Sequence, residues 1–579
     1  MPPILPYQDL GVGLSAAETL AWRYTTEGSD LVPVDILRAL IDTESGKPFT
    51  EALDRFGFLP TAAGPGNVYG LPVGWTIDVP DYSLLKVDYV GINCSACHTG
   101  ELAYQGKAMR IDGAPNMADI EAFGLAVEAS GVATLEDPLE AFAFIVRWLR
   151  LAPPAEATPA DTFAGKVPDD TKAYLGNIAD TKGDEPDRKV GEAIVKVLKR
   201  EEVASSDATG DLEAFPLSAA DTAVVDSLST SLAAPKEDQR HLFNLVRFLR
   251  KYERLLKSRI EFATLALHAF STSTVAGPGR DDPWNIIRNL LFLTPTKLNS
   301  PVSIPHLFGS KEFTWYHADG NTNSVGQRNI AQAVALGAYV DPKTRESTLK
   351  PRNIWVLEDL MRKLEAPAWP AAQFGAAGVI DQQAAQRGAA IFARKMDAAG
   401  GSYACADCHA TRAGSLYDLA VLGTDPNRVQ SFALPQDGKP FAQAIYEKVS
   451  AIEAFAHKKA GITPEEARQH EIVPYPIWRD TGQYQARKLD GVWATAPYLH
   501  NGSVPTLYDL LLPATSRPAR FPLGQREYDP KKVGYRTDTP NPIFVFDITA
   551  DGNSNAGHEF GTTLSEPERW DLVEFLKTQ

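Results

Sequence analysis

Apolar residues recur at helical spacing through much of the chain. In His241–Arg250, Leu242, Leu245, Val246 and Leu249 form one stripe with polar and basic groups between them. That three-and-four spacing predicts a helix with one buried face. Gly191–Arg200 and Ala384–Ala393 read the same way, and Met117 opens a helical pattern running to Phe123. Near the C-terminus Ser565 and Glu568 form a capping box with Pro567 in the first turn, followed by Trp570, Leu572, Val573, Phe575 and Leu576. This predicts a terminal helix with a well-defined start. Residues from about 140 to 270 read mostly as helix with acidic loops. The Asn-, Pro- and Gly-rich stretch 277–337 reads as ordered loops. Strand-like alternation is scarce and no internal repeat is visible. No run reaches the roughly 18 apolar residues that a membrane-spanning helix needs. The pattern predicts a mainly α protein.

Composition and charge narrow this picture. The chain has 579 residues, 44% hydrophobic and 22% charged, which excludes wholesale disorder and leaves room for two or more domains. Its net charge of -16 argues against nucleic-acid binding, which needs a basic face.

The four cysteines fall in two copies of one pattern, Cys94-Ser95-Ala96-Cys97-His98 and Cys405-Ala406-Asp407-Cys408-His409. No thiol is left over, so a disulfide scaffold is excluded. Cys-x-x-Cys-His is the haem c attachment pattern. Each thiol adds across one vinyl group, and the adjacent His lies under the iron as proximal ligand. A zinc site would need the two pairs to meet across more than 300 residues, and a redox dithiol does not require the His. The expected cofactors are therefore two covalently bound haem c groups, with His98 and His409 on the irons. Haem c is attached outside the bacterial cytoplasmic membrane, so a periplasmic or secreted protein is expected. The N-terminus lacks a basic region followed by an apolar stretch, so the export signal is expected to have been removed.

The sixth ligand separates an electron carrier from a catalyst. None of the five methionines follows His409, so the second haem has no Met in the usual place. His457 and His470 sit in polar, helical contexts. His500 and His558 sit in glycine-containing loops, and His558, close before the terminal helix, is the favoured distal ligand with His500 the alternative. Met109 and Met117 are the candidates for the first haem. Neither is compelling, which makes the first iron the better candidate for an open position.

These residues have a family resemblance. Two distant haem c motifs with Ala496–Leu507 (APYLHNGSVPTL) resemble the bacterial di-haem cytochrome c peroxidase superfamily. Arg110–Pro115, Asp319–Ser324, Arg328–Ile330 and Gly552–His558 look more specifically like its rubber-oxygenase branch. The resemblance covers roughly 55–140 and 275–579. It implies two cytochrome c-type haem domains with long ordered loops and a helical insertion. The expected division is 1–275 with the catalytic haem and an insertion at about 150–265, a connecting segment 276–370, and 371–579 with an electron-transfer haem. It also implies an oxygen-binding first haem on His98, a second haem held by His409 and His558, and Trp315 as an aromatic relay between them.

Three functions compete. The first is a dioxygenase adding O2 to C=C bonds of an apolar alkene such as polyisoprene or an unsaturated fatty acid. That site needs mostly apolar walls, few acid–base groups and exclusion of water. The second is a peroxidase reducing H2O2 with electrons from a small redox protein; it needs a distal acid–base residue, and the sequence does not single one out. The third is an electron carrier without chemistry, which does not require 579 residues.

Overall fold

The computed structural model describes residues 6–79, 87–152, 164–181, 183–199, 212–251, 274–340, 347–398, 401–411, 414–471, 473 and 475–579. Residues 1–5, read above for an export signal, and parts of the 150–265 insertion lie outside the described residues. About 47% of the described residues are helical and 14% strand, so the mainly α expectation holds. The strands form small two- and three-stranded sheets. Among the described residues no helix is long and apolar enough to cross a membrane.

The helices start where the side chains can cap them. Asp119 accepts from the Ala122 amide at the head of Ile120–Glu136, and Ser565 and Glu568 close a reciprocal box ahead of Glu566–Leu576. Each satisfies backbone donors that otherwise end in nothing. Met117 does not open its helix. The chain first runs through the strand Lys107–Asp112 and turns at Gly113, so Met109 and Met117 both pack into the core.

One hydrophobic core crosses the chain from end to end. It joins Trp22, Leu102 and Ile111 to Phe308, Met361, Trp493, Phe546 and Leu572. Arg526 pins the halves by donating to Glu101 Oε1 at 2.9 Å. A separate core gathers the helices Pro138–Leu149, Asp169–Thr181, Asp184–Leu198, Ala219–Ser231 and 236–251. These helices share their core with Ala39, Val87 and Tyr89, and Leu242, Leu245, Val246 and Leu249 all face inward.

The helix Gln382–Phe392 crosses the terminal helix Glu566–Leu576 at Gly388. A Cβ there would stand 2.1 Å from the Asp571 carbonyl oxygen. Only glycine permits so close a crossing, and the crossing walls one side of the second cavity through Phe392, Leu572 and Leu576.

Candidate functional site

The first motif sits on a one-turn helix, Cys94–Cys97, between the strands Tyr89–Ile92 and Thr99–Tyr104. Asn93 caps it by accepting from the Ser95 amide at 2.9 Å. His98 Nδ1 donates to the Pro305 carbonyl at 2.9 Å, which fixes the tautomer and leaves Nε2 with its lone pair. That is how a ligating imidazole is usually oriented. The second motif repeats the device: His409 Nδ1 donates to the Arg487 carbonyl at 2.7 Å. Burial holds His98 down at about 3 and lowers His409 as well, so both rings are neutral.

Each motif opens on its own cavity. One of about 370 Å³ is lined by Cys97 and His98, and one of about 320 Å³ by Cys405, Cys408 and His409. Cys94 packs behind the first, its Sγ 3.5 Å from Glu27 Oε2. Because the Cys pairs stand on different cavities, they do not build one four-ligand zinc site. The cavities share a wall of Ala318, Gln485, Arg487, Tyr498, Leu499 and His500.

Across the second cavity His558 faces His409, with ring centres 6.1 Å apart and planes tilted by 54°. Two imidazoles sharing one metal ion at about 2.0 Å each bring their ring centres about 6 Å apart. His558 is held by its loop. Its amide donates to the Leu422 carbonyl at 2.7 Å, and Gly557, at φ +79°, passes so close to the 422–424 backbone that a Cβ would meet Gly423 C at 2.3 Å. Arg517 donates to the carbonyls of Asn555 and Gly557. His500 is occupied otherwise: its Nε2 is 3.0 Å from the Tyr484 hydroxyl and its ring stacks on Tyr484. His457 and His470 pack against Trp355 and line neither cavity.

The first cavity has no matching pair. Among the described residues no other imidazole is in ring contact with His98, and Met109 and Met117 do not line the cavity. Its walls include Trp284, Ile287, Ala331, Ala335 and Leu336, but it also carries His317, Asp281, Glu121, Arg280, Arg328 and Arg428. A site with few acid–base groups was expected, and the structure corrects that. Burial pushes the Glu121 carboxyl up to about 7, while Asp281 lines the cavity as an exposed residue.

Trp315, expected between the two groups, lines neither cavity. Its ring is covered by Arg479, 3.3 Å from the ring centre, and the chain turns at His317 (φ +68°), so His317 and Ala318 reach the cavity instead. The buried arginines Arg280, Arg428 and Arg487 come from three distant segments, and nothing in their spacing marks them in the sequence.

The residues fit a haem at each cavity. The walls are mostly apolar, each has an imidazole with a free nitrogen, and buried donors lack partners: Nε and Nη1 of Arg280 and Nη1 of Arg428 at the first cavity, and Nδ1 of His558 at the second. Guanidinium groups left this way suit carboxylate tails.

The chain is similar to known proteins in the same region. A domain family described as RoxA-like, cytochrome c-like matches residues 482–522, which include most of the wall between the cavities. A cytochrome c-like domain implies haem c, and the match suggests a di-haem oxidoreductase. The uncharacterized protein y4iJ of Sinorhizobium fredii is 28% identical over 617 residues, spanning 92% of this chain and 86% of its own length. The uncharacterized protein y4iM of the same organism is 30% identical over 307 residues, 48% of this chain and 64% of its own length.

Proposed function

We propose that the protein is a di-haem c dioxygenase that adds O2 to C=C bonds of an apolar alkene at the first cavity. The asymmetry of the two imidazole sets carries the reading. His409 has His558 opposite it at ligand-pair spacing, while His98 has no such partner, which leaves the first iron a free position. Bound haem supplies oxygen binding and activation at that position.

The chain's own residues do the rest. The Pro305 carbonyl holds the His98 ring in one orientation. Trp284, Ile287, Ala331 and Leu336 give the alkene an apolar bed and exclude water. Arg280 and Arg428 offer their unpartnered N–H groups to carboxylates. His409 and His558 would hold a haem in the second cavity, and that group would supply electron transfer. Haem c attachment by the two Cys-x-x-Cys-His motifs supports a periplasmic or secreted location.

A second reading, reduction of H2O2 with electrons from a small redox protein, is favoured by one observation. Glu121 gives the first cavity a buried carboxyl with a pKa near neutrality, the kind of group that helps split an O–O bond.

The open-site reading is tested by titrating the fully reduced holoprotein with carbon monoxide. One equivalent bound per two haems supports it; none, or two, contradicts it.

A further inference from the structure

The most completely oriented polar group of the first cavity is His317. Its backbone sits at φ +68°, a left-handed conformation that a non-glycine residue adopts only when its surroundings hold it there. Its Nδ1 lies 2.7 Å from Asn321 Oδ1. The Asn321 amide cannot be turned round, because its Nδ2 donates to Asp319 Oδ2 at 3.0 Å. Asp319 is in turn held by Trp284 Nε1 and by Arg428, each at 3.4 Å. Asn321 therefore presents an oxygen to the ring, and Nδ1 must carry the proton. Nε2 is left bare, without a hydrogen-bond partner among the described residues, on a ring that lines the cavity. Trp284 fixes the ring plane edge-on at 4.9 Å. A buried chain from Arg428 through Asp319 and Asn321 thus sets one nitrogen lone pair in the cavity that contains His98.

We infer that His317 is the proton acceptor of the first cavity for protic ligands of the iron: water, hydrogen peroxide or an organic hydroperoxide. When such a ligand enters, its H–X bond breaks, the proton passes to His317 Nε2, and the bonding pair stays with the ligand, which is left as its anion. No electron is gained or lost. The inference rests on the open-site reading but applies to the oxygenase and peroxidase readings alike. Asp281 and Glu121 are the competing acceptors, since both line the same cavity; Glu121 already accepts from the Ala276 amide at 3.2 Å, and no hydrogen bond among the described residues fixes the direction of the Asp281 carboxylate.

The test compares two probes of the first haem in the holoprotein. Cyanide enters the ferric site from HCN and must leave its proton behind, whereas carbon monoxide enters the ferrous site with no proton. In His317→Leu and in His317→Gln, cyanide association should slow by about 100-fold, the scale of one acid–base group. Carbon monoxide affinity should stay within about twofold, and Asp281→Asn and Glu121→Gln should each slow cyanide association less than either His317 variant. Either His317 variant suffices if the second haem keeps its wild-type spectrum. Unchanged cyanide association in both variants overturns the inference, as does equal weakening of both probes or a loss confined to Asp281→Asn or Glu121→Gln. A wild-type first haem that binds neither probe overturns the open-site reading itself, a result distinguishable from failure of His317 alone.

Discussion

His409 and His558 face each other across the second cavity with ring centres 6.1 Å apart, although 148 residues of intervening chain separate them in sequence order. His558→Ala should convert the second haem from a six-coordinate to a five-coordinate spectrum and leave the first unchanged. The variant should also bind two equivalents of carbon monoxide instead of one. An unaltered absorption spectrum would remove His558 from the ligand set.

Gly557 sets the position of that imidazole. At φ +79° it lies against the 422–424 backbone, where a Cβ would sit 2.3 Å from Gly423 C. Backbone on both sides cannot yield as a flexible side chain would, so Gly557→Ala should cost about 2 kcal/mol. Denaturant unfolding measures the loss, and the spectrum of the second haem should shift in the same variant. A silent substitution would show that the loop is not rigid.

The secondary structure near these ligands was legible in the sequence, and the tertiary pairings only partly so. Helical stripes and the Ser565–Glu568 box carry their own local signal, and the helices appear where that signal lies. The Cys-x-x-Cys-His motifs are local too. His317 and the shared wall are not. The wall joins Ala318 to residues 485–500, and a contact between distant segments leaves no periodicity to read. Trp315 was expected between the two groups from the family resemblance, but the chain turns at His317 (φ +68°) and brings His317 and Ala318 to the cavity.

Trp315→Phe should therefore leave electron transfer between the two haems unchanged. The residue lines neither cavity and its ring is engaged by Arg479. Flash photolysis of the carbon monoxide adduct of the half-reduced protein reads that rate. A marked slowing would return Trp315 to the path.

Glu121 predicts a pH dependence of stability. Burial, with Asp119 and Asp282 nearby, pushes its carboxyl from 4.5 up to about 7. A raised carboxyl leaves stability intact below the ordinary carboxylate range and removes it as pH rises toward the folded-state value. A shift of this size corresponds to about 3 kcal/mol. Glu121→Gln keeps an oxygen for the Ala276 amide, which Glu121 Oε2 now accepts at 3.2 Å. The variant should melt higher than wild type at pH 8 and the same at pH 4. Equal melting temperatures at pH 8 would contradict the penalty.

Oxygenation of an alkene at the first haem is tested by oxygen uptake of the reduced holoprotein with polyisoprene, oleate, linoleate and a styrene-like compound in turn. Sustained uptake is expected with at least one alkene and no added electron donor, with oxygenated product accumulating in step. No uptake with any of them, together with consumption of H2O2 when a reduced small cytochrome is supplied, would contradict it and establish the peroxidase reading instead.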